Sequence, residues 1–409
     1  MPRKLITFLG TGDYSPCRYQ WGKSSSAPVK YVQLALAEHL RPERIVVFVT
    51  PSAHQKNFLG EEGLLAAASS EVAPLLTPVE IPEGKSPEEI WDIFKRVFDQ
   101  VEEGDVVSFD ITHSFRSIPV IGLACLQYAG TLRNMTVEGV YYGAFEARDP
   151  ETNTTPIFDL TPFVQLMEWS RAVSELVKFG HCGTLGQQVR AGTTGANSKH
   201  ARLLKTLAGD LEKTSVAIAG CRGKDIFRKP PWEDIPLHLR KLRRGKDPLL
   251  AAFVPLLDLI EEEVGVLKVE GVDAGLEVQR GLGAVGWCLR HDMVPQAYSI
   301  LQESMITRVC EASGLDSGSK EARKLVSMCP ALRKKDVEQW SKEAKDQKEK
   351  ISDVWGYVEP ALLDLLEDFS GWRNDVMHCK FKSDKDFQTL KKKLNRSLGQ
   401  FMELLKKNE

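Results

Sequence analysis

Val106-Val107-Ser108-Phe109-Asp110-Ile111-Thr112-His113-Ser114-Phe115-Arg116-Ser117 opens as a nearly unbroken apolar run and ends in hydroxyls, a histidine and an arginine. The run predicts a strand over 105–111 buried on both faces, since a strand covered on both sides needs no polar alternation. The same order recurs at 5–9, which runs into Gly10-Thr11-Gly12-Asp13-Tyr14, and at 45–50, which runs into a polar loop. Helical spacing separates these runs at 29–38, 61–69, 87–100 and 118–130, while 79–81 and 136–145 read as further strands. Strands alternating with helices predict a three-layer, Rossmann-like α/β domain with a mainly parallel sheet over residues 1–155. Loops beyond the carboxyl ends of such strands are where ligands bind.

Beyond a polar, turn-rich stretch at 147–161 the pattern becomes helical. Apolar recurrence at 201–219 and 248–264, and again at 281–314, 320–329, 335–367 and 387–406, predicts a mainly α-helical C-terminal half, with a break or kink at Pro360. We read 156–284 as a helical linking region and 285–409 as a second domain.

At 409 residues the chain has room for two or three domains, and 42% apolar with 27% charged residues excludes a mostly disordered or fibrous protein. Lys and Arg number 54 against 56 Asp and Glu, so a nucleic-acid partner must meet a local basic surface. The opening MPRKLITFLG has no secretory pattern and no apolar run is long enough to span a bilayer, which predicts a cytoplasmic protein without a membrane partner. The eight cysteines form no CxxC pair and are expected to be free thiols without structural zinc.

In the loop 10–14 a compact backbone can turn N–H groups toward phosphate oxygens, with Tyr14 adding a hydroxyl or a stacking face. It is neither a complete GxGxxG nor a P-loop, and an ordinary structural turn remains the alternative. In the second loop Thr112, Ser114 and Ser117 can donate hydroxyl hydrogen bonds and Arg116 can hold a phosphate bidentately. His113 suits either a neutral structural role or a ligand-facing one, and Arg116 could instead cap the sheet end through Asp110. Tyr19, Trp21, Tyr141 and Tyr142 could floor a base pocket, although core packing accounts for them as well.

In the C-terminal half, Trp372-Arg373-Asn374-Asp375-Val376-Met377-His378-Cys379 carries an arginine able to stabilise a developing phosphorane charge and a histidine able to move protons. On one helix Arg373 and His378 lie about 140° apart, so a site completed by a second copy of the chain is the simpler arrangement. The basic stretches 237–246 and 391–393 are either RNA-guiding surface or plain solvated helix faces, and Trp355 and Trp372 suit packing.

With both segments in hand, the chain resembles the CARF-HEPN class of CRISPR-associated proteins. Asp110, Thr112, His113, Phe115 and Arg116 match its Asp-x-Thr-His-x-Phe-Arg pattern, and Arg373 to His378 matches its R-x4-6-H motif with Asn374 in the usual place after Arg. The resemblance implies an N-terminal CARF domain that binds cyclic oligoadenylate through Gly10, Thr11, Gly12, Asp13, Tyr14, Thr112, His113, Ser114, Phe115, Arg116 and Ser117. It implies a C-terminal HEPN domain cleaving single-stranded RNA with Arg373, His378 and Asn374, and a homodimer or dimer-based higher oligomer. It implies no cofactor and no metal, the activator being a cyclic oligoadenylate, with cyclic tetra-adenylate preferred. The expected reaction is attack of a ribose 2'-hydroxyl on the adjacent phosphate. Two alternatives stand beside it: a non-enzymatic cyclic-oligoadenylate sensor, and a CARF domain that also cleaves its ligand with help from Thr112, His113 or Arg116.

Overall fold

The computed structural model describes residues 2–113, 118–193, 198–244, 248–377 and 386–406. Its contacts divide into two units, Met1–Gln165 and Leu166–Glu409.

The first unit is an eight-stranded sheet: β1 Arg3–Leu9, β2 Cys17–Trp21, β3 Ser24–Val29, β4 Arg44–Val49, β5 Leu76–Glu80, β6 Val106–Asp110, β7 Thr136–Gly143 and β8 Thr154–Asp159. The strands lie in the order β3-β2-β8-β7-β6-β1-β4-β5. Pairings β5-β4, β4-β1, β1-β6, β6-β7 and β2-β8 are parallel, whereas β7-β8 and β2-β3 are antiparallel. The central strands are apolar throughout because both faces are covered. Leu5, Leu9, Ile45, Val47 and Val49 pack with the helix Val32–Leu40 on one side. Ile6, Phe8, Val46, Phe48 and Phe109 pack on the other, with the helices Pro87–Asp99 and Ile118–Arg133. Alternate residues thus serve opposite cores, as the period of two in a strand requires.

The mainly parallel α/β expectation holds, with three local corrections. Residues 24–29, expected in a loop before a helix from 29, form β3; Pro28 is tolerated because β3 lies at the sheet edge and needs no ladder donor there. The helix expected over 61–69 is reduced to Leu64–Ala67. The polar stretch at 147–161 contains β8, which pairs with both β7 and β2, so the first unit extends about ten residues past the expected boundary.

The second unit is built from helices, including Gly183–Gly192, Lys199–Ala219, Ile235–Arg243, Leu276–Arg290, Val294–Ala312, Lys320–Leu332, Pro360–Met377 and Phe387–Leu404. Pro360 opens its helix, at the position where a missing N–H costs nothing. Val173, Leu211, Leu239 and Leu257 share one core with Val285, Leu301, Phe369 and Phe401. The segment read as a linking region is therefore part of the same helical body. Among the described residues no helix is long and apolar enough to cross a membrane.

Candidate functional site

From β1 the chain builds outward to β4 and β5 on one side and to β6 and β7 on the other, so the strand order reverses between β1 and β6. Their carboxyl ends lie side by side, and in such sheets the crevice outside them is the usual ligand position. The structure brings the loop 10–14 and Thr112–His113 together there: the Tyr14 ring lies 4.1 Å from the His113 ring at 39°, and 5.7 Å from Tyr31. The Tyr14 hydroxyl accepts a hydrogen bond from the Gly10 N–H at 3.1 Å. A β-carbon at Gly10 would stand 3.3 Å from that hydroxyl, so glycine lets the ring fold back over its own loop. Burial pushes the Tyr14 phenol up to about 12, leaving it neutral. Ser114, Phe115, Arg116 and Ser117 fall outside the described residues.

Beneath the crevice, Asp110 is fully buried and accepts three hydrogen bonds: from Thr7 Oγ1 at 2.6 Å, from Thr112 Oγ1 at 2.5 Å and from the Thr112 N–H at 3.0 Å. Gln33 Nε2 in turn donates to Thr7 Oγ1 at 3.0 Å and to the Phe8 carbonyl at 2.9 Å. Thr112 Oγ1 also accepts from the Gly143 N–H at 2.8 Å, so this hydroxyl ties the ends of β6 and β7 together. Burial raises the Asp110 pKa, against the pull of Thr112 and Thr7. The aromatic candidates for a base floor are partly committed elsewhere: Trp21, partly buried, stacks on His39 at 4.1 Å and meets Tyr141 at 4.5 Å, and Tyr142 donates to Glu146.

His113 Nε2 is shielded from solvent and has no hydrogen-bond partner among the described residues. Burial lowers its pKa to about 4, so the ring is neutral near pH 7. Ligand affinity should consequently be flat between roughly pH 5.5 and roughly pH 8 as far as this imidazole is concerned. Binding titrations across that range check it; a step near the ordinary histidine value that disappears in His113→Gln would place the ring in water instead.

Two side chains that hold the first loop escaped the sequence reading. The segment after β4, read only as a polar loop, carries Lys56 and Asn57 in a short π-helical turn, His54–Phe58. Asn57 Nδ2 donates to the carbonyls of Gly10 at 2.8 Å and of Gly12 at 2.9 Å. Lys56 Nζ reaches the Thr11 carbonyl at 2.8 Å and the Asp13 carboxylate at 2.7 Å, which holds Asp13 below the usual carboxylate range. Their signal in the sequence was only their position: they follow the strand next to β1, at the same sheet edge.

In the helical unit, Arg373 lies near the end of the helix Pro360–Met377 and lines a cleft of about 620 Å³ with Cys221, Lys224, Ser299, Glu303 and Met377. Arg373 Nε is buried without a hydrogen-bond partner among the described residues. The other arginines of the cleft are committed: Arg323 to Glu303 and to the Ser317 carbonyl at 2.8 Å, and Arg228 to Asp316 at 3.1 Å. Burial raises the Cys221 thiol, with Ser299 and the Arg373 guanidinium acting in the opposite sense. Asn374 is exposed, and His378 falls outside the described residues. The basic stretches are partly spent on internal pairs. Arg243 meets Asp258 at 2.6 Å and Glu261 at 2.7 Å, Lys391 meets Asp292, and Lys393 meets Asp368 and lies 5.5 Å from the Trp372 ring centre.

No protein-family model matches the chain. It is 28% identical over 257 residues to the CRISPR-associated protein MJ1674 of Methanocaldococcus jannaschii, a match covering 62% of this chain and 37% of that protein. The chain thus accounts for well under half the length of that relative. Among solved structures, Csm6 of Enterococcus italicus bound to cyclic hexa-2'-fluoro-hexa-dAMP aligns with a TM-score of 0.45 and 12% identity, over 99% of this chain and 94% of that one. An α/β unit followed by a helical unit thus stands in a chain similar over 257 residues to a CRISPR-associated protein.

Proposed function

We propose that the protein is a cyclic-oligoadenylate-activated, metal-independent endoribonuclease that cleaves single-stranded RNA in the cytoplasm as part of type III CRISPR defence. The first unit acts as the CARF sensor and the second as the HEPN nuclease. The observation that carries the reading is the pairing, in one chain, of a switch point whose first loop has backbone donors without an acceptor among the described residues with a helix-borne arginine whose Nε likewise has no partner among them.

At the crevice the N–H groups of Thr11, Gly12 and Asp13 meet phosphate oxygens, and the Tyr14 and His113 rings give adenine a face. A cyclic ligand with two-fold symmetry can engage the same loops of two protomers, so the active species is a homodimer or a multiple of it. Cyclic tetra-adenylate is the ring we favour. At the cleft Arg373 stabilises the charge that develops when a ribose 2'-hydroxyl attacks the adjacent phosphate, joined by its counterpart from the partner protomer. His378, next after Met377, handles the proton, and Asn374 orients the substrate.

The test is cleavage of a fluorescent single-stranded RNA with cyclic tetra-adenylate, with cyclic hexa-adenylate and with neither, in the presence of chelator. Cleavage with one ring only, insensitive to chelator, is expected. Tight ring binding without RNA turnover would make the protein a sensor, and turnover lost to chelator and restored by one metal would overturn the arginine–histidine chemistry.

A further inference from the structure

Three consecutive carbonyls of the first loop, those of Gly10, Thr11 and Gly12, are all held by neighbouring side chains of one segment, Asn57 and Lys56. In a trans peptide the C=O and the following N–H point in opposite directions. Fixing these carbonyls therefore turns the N–H groups of Thr11, Gly12 and Asp13 away from that segment. The segment follows β4, and β4 and β6 flank β1 on opposite sides, so away from it means toward the β6 loop and the crevice. Among the described residues no acceptor takes any of the three N–H groups. A run of backbone N–H groups turned to one side is an anion-binding concavity.

We infer that Asn57 and Lys56 are the positioning residues that hold this loop in its phosphate-accepting form, so that Thr11, Gly12 and Asp13 bind an internucleotide phosphate of the activator through their backbone alone. The inference rests on the cyclic-oligoadenylate reading of the crevice. Asn57 is suited to the task because one amide nitrogen carries two hydrogens, enough for two carbonyls, and at 4% exposure it faces little competition from water. Lys56 adds a second service. Asp13 would otherwise set a bare carboxylate beside the incoming phosphate, and the Lys56 ammonium at 2.7 Å offsets that charge. Sequence cues for phosphate loops, glycine and hydroxyls, are thus completed here by an amide and an amine supplied from a different strand end.

The experiment uses the full-length chain as Asn57→Leu, which keeps the side-chain volume without the donors, and Lys56→Met, which alters a half-exposed side chain and leaves the core intact. Affinity for cyclic tetra- and hexa-adenylate is measured by calorimetry, and the ring concentration giving half-maximal RNA cleavage is measured beside the rate at saturation. Asn57→Leu is expected to raise the dissociation and half-activating concentrations by roughly tenfold or more, one lost phosphate contact being worth about that factor. Lys56→Met is expected to raise them less. In both, the cleavage rate at saturating ring stays near that of the parent, a split that general loosening of the fold would not produce. Equal affinity in parent and both variants overturns the positioning role while leaving the functional reading intact. Failure of the parent to bind either ring overturns the functional reading, and this role with it.

Discussion

Arg373→Ala lowers activator-dependent RNA cleavage by roughly 10²–10³-fold, the usual cost of removing one donor to a charge that develops in the transition state, and leaves ring affinity unchanged. The distinguishing half of this expectation concerns stability. Arg373 Nε is buried with no hydrogen-bond partner among the described residues, so the folded protein bears its desolvation without a compensating bond from them. Truncation removes that cost and gives up packing of the side-chain stem against the cleft, so the variant should unfold within about 1 kcal/mol of the parent. Arg323, in the same cleft, is the contrast. It bonds Glu303, Thr307 Oγ1 at 3.1 Å and the Ser317 carbonyl at 2.8 Å, and Arg323→Ala should lose stability first and activity only as a consequence. Cleavage kinetics at saturating ring, with urea unfolding of both variants, separate the two roles. A substantially destabilised Arg373→Ala, or one that cleaves at the parental rate, would show that the arginine is structural.

How far the sequence revealed this molecule depended on burial. β1, β4 and β6 are covered on both faces and read as continuous apolar runs. β2, β3 and β8 did not stand out, because Arg18, Gln20, Ser24, Ser25 and Phe158 face solvent and Pro28 and Pro156 mimic loop punctuation. Their pairing is a tertiary event that local propensity does not encode. The helices of the second unit were legible one by one from their spacing. Amphipathic periodicity says that a face is buried but not against what, which is why 156–284 seemed separable from the helices that share its core.

The candidate site followed the same rule. Strand-end loops with glycines and hydroxyls advertised themselves, and the topology does bring the first of them to His113. Asn57 and Lys56 were silent, since an amide and an amine in a polar stretch acquire their role only when β4 is laid beside β1. Thr112 was legible as a hydroxyl, yet its oxygen is engaged with Asp110 and the Gly143 N–H. Its contribution to the crevice is the loop shape that these bonds impose.

Asp110 is where that shape is anchored, and its replacement by alanine carries the largest expected stability effect in the first unit. The carboxylate is fully buried and holds Thr7, the Thr112 hydroxyl and the Thr112 N–H together under both ligand loops. Asp110→Ala strands these donors and opens a cavity, at a cost of about 3 kcal/mol or more, with loss of ring binding. Asp110→Asn should behave differently. Its oxygen can keep the Thr112 bonds, and its amide can donate to Thr7 Oγ1 once that hydroxyl rotates, so its cost stays within about 1 kcal/mol. pH then tests the account. Burial holds the Asp110 pKa above the ordinary value of 3.8, so the folded state binds this proton more tightly than the unfolded chain does. The contribution of the acid is therefore fullest below pH 3.8 and is lost as pH rises through the folded-state pKa. Asparagine does not titrate, so the stability of Asp110→Asn relative to the parent rises through that same window and is level above it. Urea unfolding of the two proteins as a function of pH, with hydrogen exchange over β1 and β6 as the local readout, measures that difference. A relative stability that instead falls as pH rises would mean that the buried carboxylate is held more favourably as the anion, and that the Thr7 and Thr112 bonds outweigh its burial.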